Sequence, residues 1–455
     1  MLQEPQTSPQ EQMGNTNDSA TNTSNATQQN LVSGVKDAAM DDDSNTHDLF
    51  SSGNSAPRTR GSQDNSTPAV TEVDAATSSN LDNNPESHAT RDSTAIIHQD
   101  LAQTSASAAL GDKDAQVALG DMYKDGEGVE QDYQAAMEWY RKAADQEDAV
   151  GQRKVGVLHN YGLGVPQDYT IAMAWYRKSA DQGDAQAQCN VGSLYCDGDG
   201  IPVDYSKAIE WFLLSAEQGN TNGQDQLGHL YYRGEGVPQD YCQAFEWFRK
   251  AAEQNCPRAQ NNLGLMYNHG HGVEQDFSKA LEWYIKAAKQ GHRDAQSSAG
   301  YLYLSGNGVT EDLHEAMEWF KKAADQGDSC AQYYLGCMFF DHDDGDEVVS
   351  LTHALKWYLK AADQGEAEAQ YMLGSMYQHG EGVIPDNLQA SEWFLKAAKQ
   401  GNSRAQYNMG SLYEYGDGVP QDIGTAKEWY LKAAKQGHDE AQTRFDCLHR
   451  YESSF

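Results

Sequence analysis

Apolar and polar positions follow one another in helical steps along most of this chain, and the pattern returns every 36 residues. In one such stretch Val155, Val157 and Leu158 lead up to Gly162, and Ala172, Trp175 and Tyr176 follow Asp168 at helical spacing. The stretch predicts two short helices, A and B, joined by a tight Gly-x-Gly-Val turn. That turn recurs at eight places, from Gly126/Gly128 to Gly416/Gly418. Its first glycine suits a left-handed helix C-cap. The aspartate ahead of helix B, as at Asp132, Asp168, Asp240 and Asp422, suits an N-cap. A further glycine, such as Gly183 or Gly291, ends most of the B helices.

All nine tryptophans share one register, from Trp139 to Trp429, in steps of 36 residues apart from one of 38 between Trp319 and Trp357. A fixed period of this size marks stacked supersecondary units. Nine glycines, from Gly120 to Gly410, fall in the middle of helix A. Each costs about 1 kcal/mol against alanine, so a gain elsewhere is expected, most simply the close approach of helix B. Ala136 and its equivalents would supply the matching small surface. The Trp–Tyr/Phe pairs of helix B would then fill the space between units, each indole removing about 150–250 Å² from water.

These residues carry a resemblance. The pattern Ala-x-Gln, Leu-Gly-x-(Leu/Met)-Tyr, Gly-x-Gly-Val, Asp-(Tyr/Phe), Ala-x-x-Trp-(Tyr/Phe)-x-Lys-Ala-Ala-x-Gln-Gly resembles the Sel-one-like repeat (SLR) family, a relative of the tetratricopeptide repeat. It covers nine units over 112–437, followed by a lone helix A at 438–455 that reads as a C-terminal cap; 95–111, with Ile96, Ile97 and Leu101, reads as an N-terminal capping helix. The resemblance implies an all-α fold, a right-handed α/α superhelical solenoid of helix-turn-helix repeats, used as a non-enzymatic protein-interaction scaffold. It also implies alternatives: a regulator of a membrane enzyme in the manner of chitin-synthase activators, a degradation-pathway adaptor, or a secreted repeat hydrolase.

Composition separates the first 94 residues from the rest. They hold no Trp or Tyr and one Phe, Phe50, amid Ser, Thr, Asn, Gln and Asp. Such a segment buries too little apolar surface to offset its ordering entropy, so 1–94 is expected to be a disordered acidic tail. Ser8-Pro9 and Thr67-Pro68 within it are candidate phosphorylation sites. The formal charge of −35, most of it on the repeats, argues against nucleic acid as ligand and against anionic membranes. No signal peptide and no run of about 18 apolar residues is visible, so a cytoplasmic chain without direct membrane insertion is expected. The seven cysteines fall at unlike repeat positions; Cys189/Cys196 and Cys330/Cys337 stand seven apart, too far along a helix for a disulfide.

No catalytic constellation, cofactor motif or metal set emerges. Ser33-Gly34-Val35-Lys36 matches Ser-x-x-Lys without companions. His269-Gly270-His271 lacks further ligands. The seventh turn, 341–347, is acidic and two residues longer, but its glycine comes one place early for a calcium loop and Thr352 stands where a glutamate is required. Six Glu→Lys pairs at i,i+4, among them Glu138/Lys142, Glu246/Lys250 and Glu318/Lys322, read as solvated helix supports.

A partner surface is sought where units differ. Three helix A positions vary, lying three before the central glycine and one and four after it, on one helical face. The resemblance places that face on the concave side. It is polar or mixed early (Lys124, Arg153, Asn160), with Tyr232 an outlier, and becomes aromatic and apolar from the sixth unit. Tyr301, Leu304, Tyr333, Phe340, Tyr371 and Tyr407 are therefore the candidate site for a protein or peptide.

Overall fold

The computed structural model describes residues 100–341 and 347–452. The tail, residues 95–99 and the acidic turn 342–346 lie outside the described residues. Among those described, every regular element is a helix. They divide into two compact units, 100–290 and 291–452.

The first unit opens with α1 (100–109) and continues through five hairpins. These are α2–α3 (Lys113–Asp125, Tyr133–Asp145), α4–α5 (Ala149–Tyr161, Tyr169–Asp181), α6–α7 (Ala185–Asp197, Tyr205–Glu217), α8–α9 (Thr221–Arg233, Tyr241–Glu253) and α10–α11 (Pro257–His269, Phe277–Lys289). The second unit has four, α12–α13 (Arg293–Ser305, Leu313–Asp325), α14–α15 (Ser329–Asp341, Glu347–Asp363), α16–α17 (Ala367–His379, Asn387–Lys399) and α18–α19 (Ser403–Tyr415, Ile423–Ala434), and closes on α20 (Asp439–Glu452). Within each unit consecutive helices pack on one another, so each is a short α/α solenoid.

The hairpins form for the local reasons the pattern predicts. Gly162 ends α4 with φ 68° and returns its N–H to Leu158 O. Asp168 caps α5 by accepting from the Ile171 N–H, while its own N–H reaches back to His159 O. Gly183 then turns the chain at φ 91°, and Asp184 caps α6 through the Ala187 N–H.

Packing refines or adds to the expectation at three points. The mid-helix glycines do serve the close approach of helix B, but chiefly through a ring and not through its backbone. A Cβ at Gly228 would lie 2.5 Å from Cε1 of Phe248, and one at Gly120 2.5 Å from Cε1 of Tyr140. Each glycine is thus the slot for the ring that follows the tryptophan. Those rings, Tyr140, Phe212, Phe248 and Phe394 among them, are the fully buried large side chains. The tryptophans are only half-buried, apart from Trp319. Trp175 packs against the preceding hairpin, on the cluster around Ala136 and Tyr140, and Trp211, Trp247, Trp283, Trp357, Trp393 and Trp429 do the same within their own units.

The expected Glu→Lys ladder does not form. Lys142, Lys250, Lys286, Lys322, Lys396 and Lys432 instead lie over the indole three residues before them, at 3.4–4.0 Å from the ring centroid. Glu246 and Glu318 pair with Arg249 and Lys321. A half-exposed indole face offers the ammonium a partner worth about 0.5–1 kcal/mol, at least the equal of a solvated ion pair.

The glutamine of Ala-x-Gln carries the third feature. Gln224 Nε2 donates to Ala216 O at 3.2 Å, and Gln224 Oε1 accepts from Gln254 Nε2 at 2.8 Å. The same relay recurs at Gln188, Gln260, Gln332, Gln370 and Gln406. It ties the end of one B helix to the next hairpin through a buried amide. Gln224→Ala would remove both of its hydrogen bonds, while Ala216 O still accepts from the Gly219 N–H and Gln254 Nε2 still donates to Lys250 O, and is expected to cost about 1 kcal/mol. Denaturant unfolding reads this, and an unchanged midpoint would show the relay to be dispensable.

Candidate functional site

The variable face is richer in rings in the second unit than in the first. In the first it is mixed, with Val117, Val157, Cys189, Cys196 and Leu265 among polar residues, and part of it is a hydrogen-bonded polar cluster. Asp225 is fully buried, 3.1 Å from Arg258 Nη2 and 3.6 Å from His229 Nε2, and accepts from Asn262 Nδ2 at 3.0 Å. Burial opposes its ionisation, but His229, Arg258 and Asn262 together hold the carboxyl below its ordinary value. Tyr232, the aromatic exception, is tied to His271 Nδ1 at 2.9 Å. That imidazole stacks on Tyr241 and on His269.

In the second unit five of these positions carry rings. Tyr333 and Phe340, from α14, and Tyr371, from α16, pack around one cluster with Tyr358, Met372 and Met376. Tyr301 and Leu304, from α12, pack on the neighbouring cluster around Phe320. Tyr334 joins the two groups, 5.9 Å from Tyr301 and 5.4 Å from Tyr333 between ring centroids, while stacking on Phe320 at 5.0 Å. Tyr407 stands apart, stacked on His438 at 4.8 Å and tilted over Tyr430. Five of the six are half-buried and Tyr333 is buried. Burial raises the hydroxyl pKa of Tyr301, Tyr333 and Tyr371, so these are neutral hydrogen-bonding groups with apolar bodies.

Sequence reasoning missed the charged rim of this face. Arg404 lies over Tyr371 at 4.5 Å and pairs with Glu368, whose other oxygen accepts from Asn402 Nδ2 at 2.7 Å. Burial opposes the Arg404 charge and Glu368 more than restores it, so its pKa is raised. Arg404 and Glu368 share one helix A position in successive repeats, and an unlike pair at one repeat position was the available signal. Tyr334 stands two before the central glycine, a position that also varies (Lys154, Asn190, Asn262, Asn408), so the same comparison of units could have found it; Tyr358 was passed over because it is the ring that follows the tryptophan.

Among the described residues there is no group of three or more His, Cys, Asp or Glu placed to hold a metal ion. No described helix is long and apolar enough to cross a membrane. None of the seven cysteines is joined in a disulfide.

Fold and face together define a tandem α-hairpin repeat protein with a unit-specific surface. Nine consecutive segments, 113–148, 149–184, 185–220, 221–256, 257–292, 293–328, 331–366, 367–402 and 403–438, match the Sel1 repeat, and the chain belongs to the Sel1 repeat family. Sel1 repeats generally mediate protein–protein interaction, and the family is generally non-enzymatic. The chain is similar to a protective antigen present in uropathogenic Escherichia coli strains that displays an SLR fold. That likeness is 36% identity over 77% of this chain and 83% of the other, with a TM-score of 0.56. It is also similar to a Sel1 repeat protein from Oxalobacter formigenes, 32% identical over 70% of this chain and 93% of the other, with a TM-score of 0.49. No curated protein matches it.

Proposed function

We propose that this chain is a non-enzymatic scaffold that holds a protein or peptide partner on the aromatic face of residues 291–452. One observation supports the reading above others. The positions of Tyr333, Tyr371 and Tyr407 are filled by Arg153, Asp225 and Asn261 in the other unit, so the repeat does not need a ring there in order to fold. Tyrosine and phenylalanine at such positions supply large, stiff contact area at low entropy cost. The acidic repeats favour a basic or neutral partner over nucleic acid.

The test is a Tyr333→Ala/Phe340→Ala chain in a pull-down from the native cell. Loss of the partners captured by the unaltered chain, with helix content retained by circular dichroism, is the expected outcome. Capture of the same partners by the altered chain would end the proposal.

A further inference from the structure

The ring seated in each central-glycine slot has a tip that reaches toward the variable face, and the tip's chemistry varies. Where the ring is phenylalanine, as at Phe212, Phe248, Phe320 and Phe394, nothing polar arrives. Where it is Tyr140 the hydroxyl donates to Asp121 Oδ1 at 2.6 Å, and where it is Tyr430 it donates to Glu414 Oε2 at 2.7 Å. Asp121 and Glu414 are themselves variable-face residues, one and four places past the glycine. In the α14–α15 hairpin those two places hold Cys337 and Phe340. The Tyr358 hydroxyl beneath them is fully buried and has no hydrogen-bond partner. Its ring is packed under Tyr333 at 6.1 Å and Phe340 at 6.5 Å between centroids. Cys337 lies beside it, and burial pushes that thiol up to about 12; the Tyr358 hydroxyl bears on the thiol closely enough to oppose that rise, but the pair does not meet the distance and angles of a hydrogen bond. A thiol is in any event a weak acceptor.

Deepening the scaffold reading, and resting on it, the geometry points to a socket on α14 in which the Tyr358 hydroxyl donates to a main-chain carbonyl of an extended, basic peptide segment lying between Tyr333 and Phe340. Phe340, half-buried at the end of α14, is the side chain that turns aside to admit it. The acceptor is a neutral carbonyl because carboxylates already bear on the site. Asp341 acts on Tyr358 and Glu368 on Tyr333, and the nearby Arg404 is committed to Glu368. A third carboxylate would meet repulsion there, whereas lysine or arginine side chains flanking the carbonyl would meet Asp341 and the acidic surface of the repeats.

The decisive variant is Tyr358→Phe, which removes one oxygen and leaves a ring that four equivalent hairpins already carry. Fluorescence anisotropy on the full chain would use two amidated peptide libraries, Lys-x-x-x-Lys and Glu-x-x-x-Glu with uncharged x. The unaltered chain is expected to retain members of the lysine library alone. Tyr358→Phe is expected to weaken the retained peptides about tenfold, and the free variant is expected to melt at or above the unaltered chain, since a stranded hydroxyl is lost. Unchanged peptide affinity, preference for the glutamate library, no retained peptide, or a lower melting temperature of the free variant would each overturn the socket. The two readings separate cleanly. If Tyr358→Phe is silent while Tyr333→Ala/Phe340→Ala releases the partner, the socket is wrong and the aromatic face stands; if both are silent, both fall.

Discussion

Gly228→Ala is expected to destabilise the first unit by about 1–3 kcal/mol, although alanine is the better helix former by about 1 kcal/mol. The two effects oppose each other, and their sizes decide the sign. The added methyl would sit 2.5–2.9 Å from three ring carbons of Phe248, which is fully buried and also meets the His229 ring edge-on at 5.1 Å. The ring has no free space to retreat into, so α8 and α9 must separate. Denaturant unfolding measures the loss. A second substitution, Phe248→Leu, removes the clashing edge, and the pair is expected to cost less than the sum of the two singles. A raised unfolding midpoint for Gly228→Ala alone would mean that the ring moves freely and that the slot does not hold the hairpin.

That substitution also marks the limit of what can be read from the chain. The turn glycines and the capping aspartates were legible because their chemistry is local. Gly162 answers to Leu158 and Asp168 to Ile171, within a single turn of helix. The period of the tryptophans likewise needed no third dimension. What period alone withholds is the rotation of one helix against the next. Gly228 and Phe248 stand 20 residues apart, and Gln224 and Gln254 stand 30 apart. Nothing local says which of two adjacent aromatic residues enters the slot, and tryptophan, the larger, stays half outside. The same lack of phase misassigned the lysines. Glutamate four residues back and indole three residues back are equally near along a helix, and only the half-burial of the indole shows which one the ammonium meets.

The candidate face was legible to the same degree. Its variable positions were chosen by spacing, and Tyr333, Phe340 and Tyr371 do gather around one cluster. Tyr301 and Leu304 belong to the next cluster and Tyr407 to another, because each hairpin closes its own core. Arg404 over Tyr371 was invisible for a different reason. It joins a residue at the start of one helix A to the middle of the preceding one, a contact that exists only once the hairpins are stacked.

Gly272→Ala is expected to do more damage than Gly228→Ala, about 3–5 kcal/mol, and to change how the first unit unfolds. Gly272 is the second glycine of its turn, at φ 69°, and it lies against the start of α9 in the preceding hairpin. A methyl there would meet the Tyr241 carbonyl oxygen, with Tyr241 C at 2.5 Å and Cys242 N at 2.9 Å. These atoms are helix backbone and cannot rotate away as a ring might. The turn must lift off α9, and the contact between hairpins α8–α9 and α10–α11 opens. In an array whose hairpins touch only their neighbours, stability is a sum of unit and interface contributions. A broken interface therefore lets α10–α11 unfold ahead of the rest, and indole fluorescence and helix circular dichroism are expected to report different midpoints. Gly183→Ala is the control. It shares a positive φ, 91°, but a methyl there meets no atom within 4 Å, so it should cost only the about 1–2 kcal/mol of left-handed strain and unfold in one step. Coincident transitions for Gly272→Ala, at the midpoint of Gly183→Ala, would show that the second turn glycine is kept for its backbone angle alone and that stacking does not depend on it.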